Sequence, residues 1–444
     1  MTKICVLGLG YIGLPSASMF ATQGHEVIGV DVNPELVSAL RQGEVHIQEP
    51  GLNMLLQSAT QSGNLRVESA PERADAYIIA VPTPLERHPE MGAPRPDLRH
   101  VRAATKAIAP LLEAGNLVIL ESTSPPGTTV HVVRPMLERN GLRAGSDFSL
   151  AYCAERVLPG RILIELVTND RIVGGIDPVS AQRAGDLYTS FVEGQIMMTD
   201  ATTAETVKLM ENTYRDVNIA LANEFSRVAD HLGIDVSEAI ALANHHPRVD
   251  ILRPGPGVGG HCIAVDPWFI VDAAPDETRL IRTARAVNDA QPARVADLVA
   301  AVVADIDHPT IAALGMAYKA DVDDVRESPS VDVVRILRER GYTVRAHDAL
   351  ARQAPDGTML EADLTTTLGG ADAMVILTDH TMYRELEPWS AGPSGMRHRR
   401  VIDTRACIDG SRWQLSEFAV HSLGAGRRTV DRPPSTVSGI PHPN

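Results

Sequence analysis

The stretch GPGVGGHCIAVDPWF, from Gly255 to Phe269, places Cys262 at the end of a glycine-rich run, with Asp266 four residues further on. A thiol in that setting is suited to nucleophilic work. Successive free N–H groups of a glycine loop form a concavity that favours anions, and so favours the thiolate. The competing assignment is a structural cysteine, but those usually sit inside apolar elements. His245, His246 and His261 lie close enough in sequence to suggest zinc. The paired C-x-x-C or H-x3–5-H spacing of zinc sites is missing, and a metal cage gives the loop glycines nothing to do, so no metal is expected.

Three other groups of residues carry chemistry. GLGYIG contains Gly8, Gly10, Tyr11, Ile12 and Gly13 directly after a strand-like run. This is the G-x-G-x-x-G pattern, in which glycines permit a tight turn and let a pyrophosphate reach a helix N-terminus. Asp31 ends the next strand-like run about 20 residues on, where an acid binds the ribose hydroxyls and repels the extra phosphate of NADP, so NAD is the expected cofactor. Lys208 and Asn212 fall at i, i+4 in AETVKLMENTY, hence on one face of a helix. Glu155 and Arg156 sit in AYCAERVLPGR. Taken alone, neither of these last two pairs separates catalysis from an ordinary surface.

The elements that must position these residues are an alternation of short apolar runs and amphipathic stretches. KICVLGLG, HEVIGVD, DAYIIAVPTP and NLVILESTS are expected as strands of a parallel sheet, with Asp31, Thr83 and Thr123 beyond their carboxyl ends, where such sheets bind ligands. A long helix is expected from about Asp200 to Gly233, and ETRLIRTARAVNDAQPARVADLVAAVVADI continues the helical middle. TIAALGMAY, TVRAHD, ADAMVILTD and RRVIDTRA then form a second α/β segment without the glycine signature. Its helix is started by Ser328 and Pro329 and stopped by Gly341. The expected fold class is α/β: two Rossmann-like domains joined by a helical middle domain with a long central helix. The boundaries are 1–198, 199–297 and 298–425, with a loose Pro/Ser-rich tail over 426–444.

Composition narrows the function classes. A chain of 444 residues exceeds one ordinary core. A net charge of -15 argues against nucleic acid as a partner, because phosphate backbones need clustered Lys and Arg. The four cysteines are scattered, as in proteins of a reducing cytoplasm, and neither a leader nor an apolar run long enough for a membrane span is read.

The motifs GLGYIGLP, VPTP, STSPPGTT, AERVLPG, AETVKLMENTYRDVNIALANE, GPGVGGHCIAVDP, GMAYKADVDDVRESPS and DTRACIDG, in that order, resemble the UDP-glucose/GDP-mannose dehydrogenase family up to about residue 425. The resemblance implies a cytoplasmic homodimer that oxidises the C6 alcohol of a UDP-sugar twice with NAD for surface polysaccharide synthesis. HHPRVDILRPGPGVGGHCIAVDPWFI is similar to the branch acting on UDP-N-acetyl-D-mannosamine. The C2 epimer UDP-N-acetyl-D-glucosamine is the alternative substrate, and an NAD-binding sensor without turnover the alternative class. The resemblance makes Cys262 the nucleophile that holds the intermediate aldehyde, with Gly259 and its neighbours leaving room for the sugar C6. It makes Lys208 the cation for oxyanion charge, Asn212 the water-holding amide, Asp266 the proton handler and Glu155 the activator of water, with Thr123 nearby. Arg156, Arg248, Gly259 and Lys319 are implied on the substrate, Arg326 towards the cofactor, and Arg405 in a neighbouring subunit's substrate site.

Overall fold

The computed structural model describes residues 1–86, 93–355, 357–391 and 395–426. The expected tail lies outside the described residues from 427 onward. The chain forms two compact units: Met1–Asn212 with Val265–Thr278, and Thr213–Ala264 with Arg279 to the C-terminus.

The first unit is built on β1 (Lys3–Leu7), β2 (Glu26–Val30), β3 (Leu65–Glu68), β4 (Ala76–Ile79), the short antiparallel pair β5 (Leu85–Glu86) and β6 (Arg95–Pro96), β7 (Leu117–Leu120), β8 (Ser149–Tyr152), β9 (Arg171–Gly175) and β10 (Ile196–Asp200). Its sheet has the order β10-β9-β8-β7-β4-β1-β2-β3. Alternate residues of each strand go to opposite faces. Ile4, Val6, Ile78 and Ile119 join one apolar cluster, while Cys5, Leu7, Tyr77 and Val118 join another. Both faces are therefore covered, as the continuous apolar runs require.

The sheet is not wholly parallel. β8 and β9 pair antiparallel, so β9 and β10 run against the other six strands. The apolar pattern of a strand records which faces are covered and not which way the strand runs, so neither the mostly buried β9 nor the exposed edge strand β10 carries a sign of this reversal. Gly174 and Gly175 let β9 press on its neighbours: a Cβ at Gly174 would stand 2.6 Å from the Cβ of Ala204.

One helix runs Ala201–Leu232. Asp200 caps its start, accepting from the Thr203 amide at 2.9 Å, and Gly233 follows it at φ +70°.

In the second unit, β11 (Thr310–Leu314), β12 (Thr343–His347), β13 (Ala373–Ile376), β14 (Arg400–Asp403) and β15 (Ala419–Ser422) form a parallel sheet in the order β12-β11-β13-β14-β15. The helix Pro329–Glu339 begins on Ser328, whose hydroxyl accepts from the Ser330 amide, and is followed by Gly341 at φ +87°. The single helical stretch expected over the middle is two helices, Arg279–Asp289 and Gln291–Val302. Pro292 lacks an N–H and fits only a first turn, so a new helix starts there. Among the described residues no helix is long and apolar enough to cross a membrane.

Candidate active site

The glycine corner of the first unit forms where β1 ends. Gly8 adopts φ +93°, and a side chain there would run into the Ala80 backbone. A side chain at Gly13, in the first turn of the helix Gly13–Thr22, would strike the Gly8 carbonyl. Gly10 has open space where its Cβ would be. Two glycines thus close the turn and the third leaves a free face. Tyr11 and Ile12, both half-buried, lead into the helix. The Asp31 carboxylate accepts from the amides of Leu9 (3.0 Å) and Asn33 (2.9 Å), tying the acid after β2 to the glycine turn. Thr83 donates its hydroxyl proton to the Thr123 carbonyl at 2.7 Å, joining the loops that follow β4 and β7. An open glycine face at a helix start, with an acid beside it, fits a dinucleotide's pyrophosphate and ribose.

Lys208 and Asn212 occupy successive turns of the helix Ala201–Leu232. Asn212 donates its amide to Asp266 at 2.6 Å. Asp266 opens the helix Asp266–Ala273, held by Leu209, Val265 and Phe269 packing as one apolar cluster. The Asp266 carboxyl is 2% exposed. Burial pushes its pKa up to about 6, against the opposing pull of the Lys208 charge and the Asn212 hydrogen bond. An acid set against the amide and ammonium of one helix face can take up a proton near neutral pH, and the ammonium can stabilise a developing oxyanion.

Glu155 follows β8 and is buried, with its carboxylate on Arg171 of β9 at 2.5 Å. Glu121, just after β7, lies 3.8 Å from the same guanidinium and accepts from the Tyr188 hydroxyl at 3.0 Å. Burial, and then the Glu155 charge, raise the Glu121 pKa, because one arginine serves two carboxyls. Arg156 pairs with Glu211 at 2.6 Å and donates to the Asp170 carbonyl.

In the second unit, Cys262 is exposed in the turn after Gly260. The loop glycines were expected to leave room for the sugar C6. The structure gives two of these glycines a packing role: on the side where a Cβ would point, Gly259 and Gly260 lie against protein. A Cβ at Gly259 would stand 2.5 Å from the Glu327 carbonyl oxygen and from Pro329, and one at Gly260, where φ is +82°, would stand 2.8 Å from the Tyr318 ring. The GMAYKADVDDVRESPS segment is thus seated on the cysteine loop. Gly259→Ala is expected to lower kcat on the order of a hundredfold by shifting the loop, with thermal melting showing the fold retained; an unchanged kcat would separate loop packing from turnover.

The start of this loop is also clamped. The Gly255 amide donates to the Asn223 side chain at 2.9 Å, and its carbonyl accepts from Gln291 at 3.0 Å. Arg405 rests against Gly255 and donates to Asp379 at 3.1 Å. Lys319 is half-buried in the loop after β11. Arg326 donates to Asp324 at 2.8 and 2.6 Å. Arg248 is exposed after the helix Val236–Ala243.

The second sheet repeats the corner of the first with its acid sealed. Gly315 follows β11 at φ +91°, and Asp348 follows β12 as Asp31 follows β2. Asp348 is fully buried and accepts from the amides of Met316, Ala317, Leu350 and Ala351. His380 Nδ1 accepts from the Asp321 amide, which leaves Nε2–H to donate to Asp348 at 3.1 Å. No lone pair remains directed at a ribose.

Sequence reasoning missed Glu121, Arg171, Asn223 and Gln291, which touch partners far along the chain. It also missed Glu205, whose i, i+3 spacing to Lys208 was a usable signal.

Three family models match the chain: the NAD binding domain over residues 2–192, the central domain over 202–290 and the UDP binding domain over 312–410. The chain is 46% identical over 431 residues to a UDP-N-acetyl-D-mannosamine dehydrogenase of Methanococcus maripaludis, covering 96% of this chain and 97% of the relative. It is 47% identical over 420 residues to an NDP-N-acetyl-D-galactosaminuronic acid dehydrogenase of Ralstonia solanacearum, covering 92% and 97%. A solved UDP-D-ManNAc dehydrogenase from Pyrococcus horikoshii superposes with a TM-score of 0.89 at 44% identity, over 96% of this chain and 99% of that one. With its glycine corner, its buried Asp266 beside Lys208 and its cysteine loop, the chain belongs to the UDP-glucose/GDP-mannose dehydrogenase family.

Proposed function

We propose that the protein oxidises the C6 alcohol of UDP-N-acetyl-D-mannosamine to the carboxylate, consuming two NAD+ and one water and yielding two NADH. The buried Asp266, hydrogen-bonded to Asn212 and facing the Lys208 charge, carries this reading most directly. The names of the relatives supply the sugar.

NAD+, when bound, accepts one hydride from C6 in each of the two oxidations. Gly8, Gly10, Tyr11, Ile12 and Gly13 would hold its pyrophosphate, Asp31 its ribose, and Thr83 and Thr123 its nicotinamide side, with Arg326 contributing. Asp266 takes the proton of the C6 hydroxyl as the first hydride leaves, giving the aldehyde. The Cys262 thiolate adds to the aldehyde carbon, and the resulting thiohemiacetal loses the second hydride from C6 to become a thioester. Lys208 offsets oxyanion charge in both tetrahedral states. Asp266 gives its first proton to solvent before hydrolysis begins; Asn212 then fixes the water that attacks the thioester, Glu155, tied to Arg171, orients it as an acceptor, and Asp266, ionised again, takes its proton. The Cys262 thiolate is then released. Arg156, Arg248, Gly259, Lys319 and Arg405 are assigned to the UDP-sugar; of these, Lys319 and Arg405 lie within the UDP binding model matched over 312–410. The three matched segments are taken as domains with these separate duties.

The protein is proposed to act in the cytoplasm as a homodimer. Met210, Tyr214, Leu221, Phe225, Val228 and Leu232 recur at helical spacing along Ala201–Leu232 and are exposed, Tyr214 by 66%. A stripe of that kind normally seats a partner surface. Tyr214→Glu with Phe225→Glu is expected to halve the mass measured by light scattering; an unchanged mass would place the contact elsewhere.

The Ralstonia relative supports a second reading, a galacto-configured N-acetylhexosamine nucleotide as substrate. Incubating the protein with NAD+ and UDP-ManNAc, UDP-GlcNAc or UDP-GalNAc, and counting NADH per sugar, tests them together. Two NADH with UDP-ManNAc alone is the expected result. One NADH indicates a simple alcohol dehydrogenase, and none with any sugar indicates a sensor.

A further inference from the structure

Glu205 is unused by the mechanism above. It lies on the helix Ala201–Leu232, one turn before Lys208 and two before Asn212, so all three share a face. Its side chain is fully buried. Both carboxylate oxygens are engaged by one loop: Oε2 accepts from the Gly127 amide at 2.5 Å, and Oε1 from the Thr129 amide at 2.7 Å and the Thr129 hydroxyl at 2.6 Å. That loop continues from β7 through Thr123, the residue whose carbonyl receives the Thr83 hydroxyl. Its backbone is irregular. Gly127 has φ +86°, and Thr129–Val133 is wound with i→i+5 hydrogen bonds rather than as an α-helix. The loop's internal bonds, such as those from the Thr128 amide and hydroxyl to the Pro125 carbonyl, are those of a turn and not of a continuous α-helix, so an anchor from outside helps it keep one conformation.

We infer that Glu205 is a positioning residue for cofactor binding: it fastens the Thr123–Thr129 loop to the helix that bears Lys208 and Asn212. Glutamine in its place keeps the shape but offers one carbonyl oxygen for donors that now share two carboxylate oxygens, and its NH2 faces amide hydrogens. The loop then loses its fixed position while the helix, held by its own hydrogen bonds, does not. The damage therefore falls on NAD+ binding and spares the sugar chemistry. This rests on the cofactor assignment made above for Thr83 and Thr123.

The experiment compares the full-length protein with Glu205→Gln and Thr129→Val. Steady-state kinetics with UDP-ManNAc are joined to NADH titration by fluorescence. Glu205→Gln is expected to raise KM for NAD+ and Kd for NADH about tenfold, with kcat and KM for the sugar within about twofold. Thr129→Val, which removes one of three donors, is expected to raise KM for NAD+ about threefold. Should Glu205→Gln not fold, Thr129→Val carries the test with the same readout. Unchanged NADH affinity in the folded variants overturns the inference, as does a fall in kcat and melting temperature with KM for NAD+ unmoved. If the unsubstituted protein itself bound no NADH, the cofactor assignment would fail instead, which keeps the two outcomes apart.

Discussion

Cys262→Ser and Cys262→Ala are expected to lower uronate formation by at least about a thousandfold, the order seen when a covalent nucleophile is removed, while NADH titration remains as in the unsubstituted protein. The sulfur is asked to hold a reactive aldehyde between two hydride transfers, and a serine hydroxyl, unionised near neutral pH, adds to aldehydes reversibly and poorly. The Gly8–Gly13 corner that would hold the cofactor belongs to the other unit and is untouched by the change. Mass spectrometry of a quenched reaction should show sugar attached to Cys262 in the unsubstituted protein. Full turnover by either variant, or free aldehyde with no adduct, would remove the thioester route.

Asp266→Asn is expected to lower kcat about 10²- to 10⁴-fold, the usual range for removing a general base. It also makes stability and activity move in opposite directions. Burial holds the Asp266 pKa up, from 3.8 to about 6. A group raised in the folded state favours folding in full below its unfolded pKa, near 4, and that contribution is lost as pH rises through about 6. Ionising Asp266 at pH 8 therefore costs the fold on the order of 3 kcal/mol. The asparagine variant escapes this cost, so it should melt higher than the unsubstituted protein at pH 8 and about equally at pH 4. Activity of the unsubstituted protein should rise with pH through about 6, since Asp266 must be ionised to accept a proton, and the variant's residual activity should lack that limb. A lower melting temperature at pH 8 for Asp266→Asn would mean that the carboxylate is a structural partner and not a strained base.

The sequence carried a good deal of this protein by itself. The glycine pattern followed by Asp31, the helix from Asp200 to Gly233 and the caps at Ser328 and Gly341 are local signals. They depend on backbone sterics, hydrogen bonds within a turn and helical periodicity, and each is complete within a short window. Cys262 stood out because a cysteine at the end of a glycine-rich loop is chemically unusual, and Lys208 and Asn212 were placed on one face by spacing alone.

Tertiary structure decided what depends on which distant groups meet. The reversal of β9 and β10 could not be read, because a strand's apolar pattern records which of its faces are covered and not the direction in which it runs. The glycines at 259 and 260 are required for the seating of Tyr318, Glu327 and Pro329, residues more than fifty positions away. Arg171 gathers Glu121 and Glu155 from separate strands, and Glu205 reaches a loop some eighty residues earlier. Local chemistry is written in neighbouring residues, whereas burial and pairing, which set the charge of Asp266 and the pairing of Glu205, come into being only when the chain closes on itself.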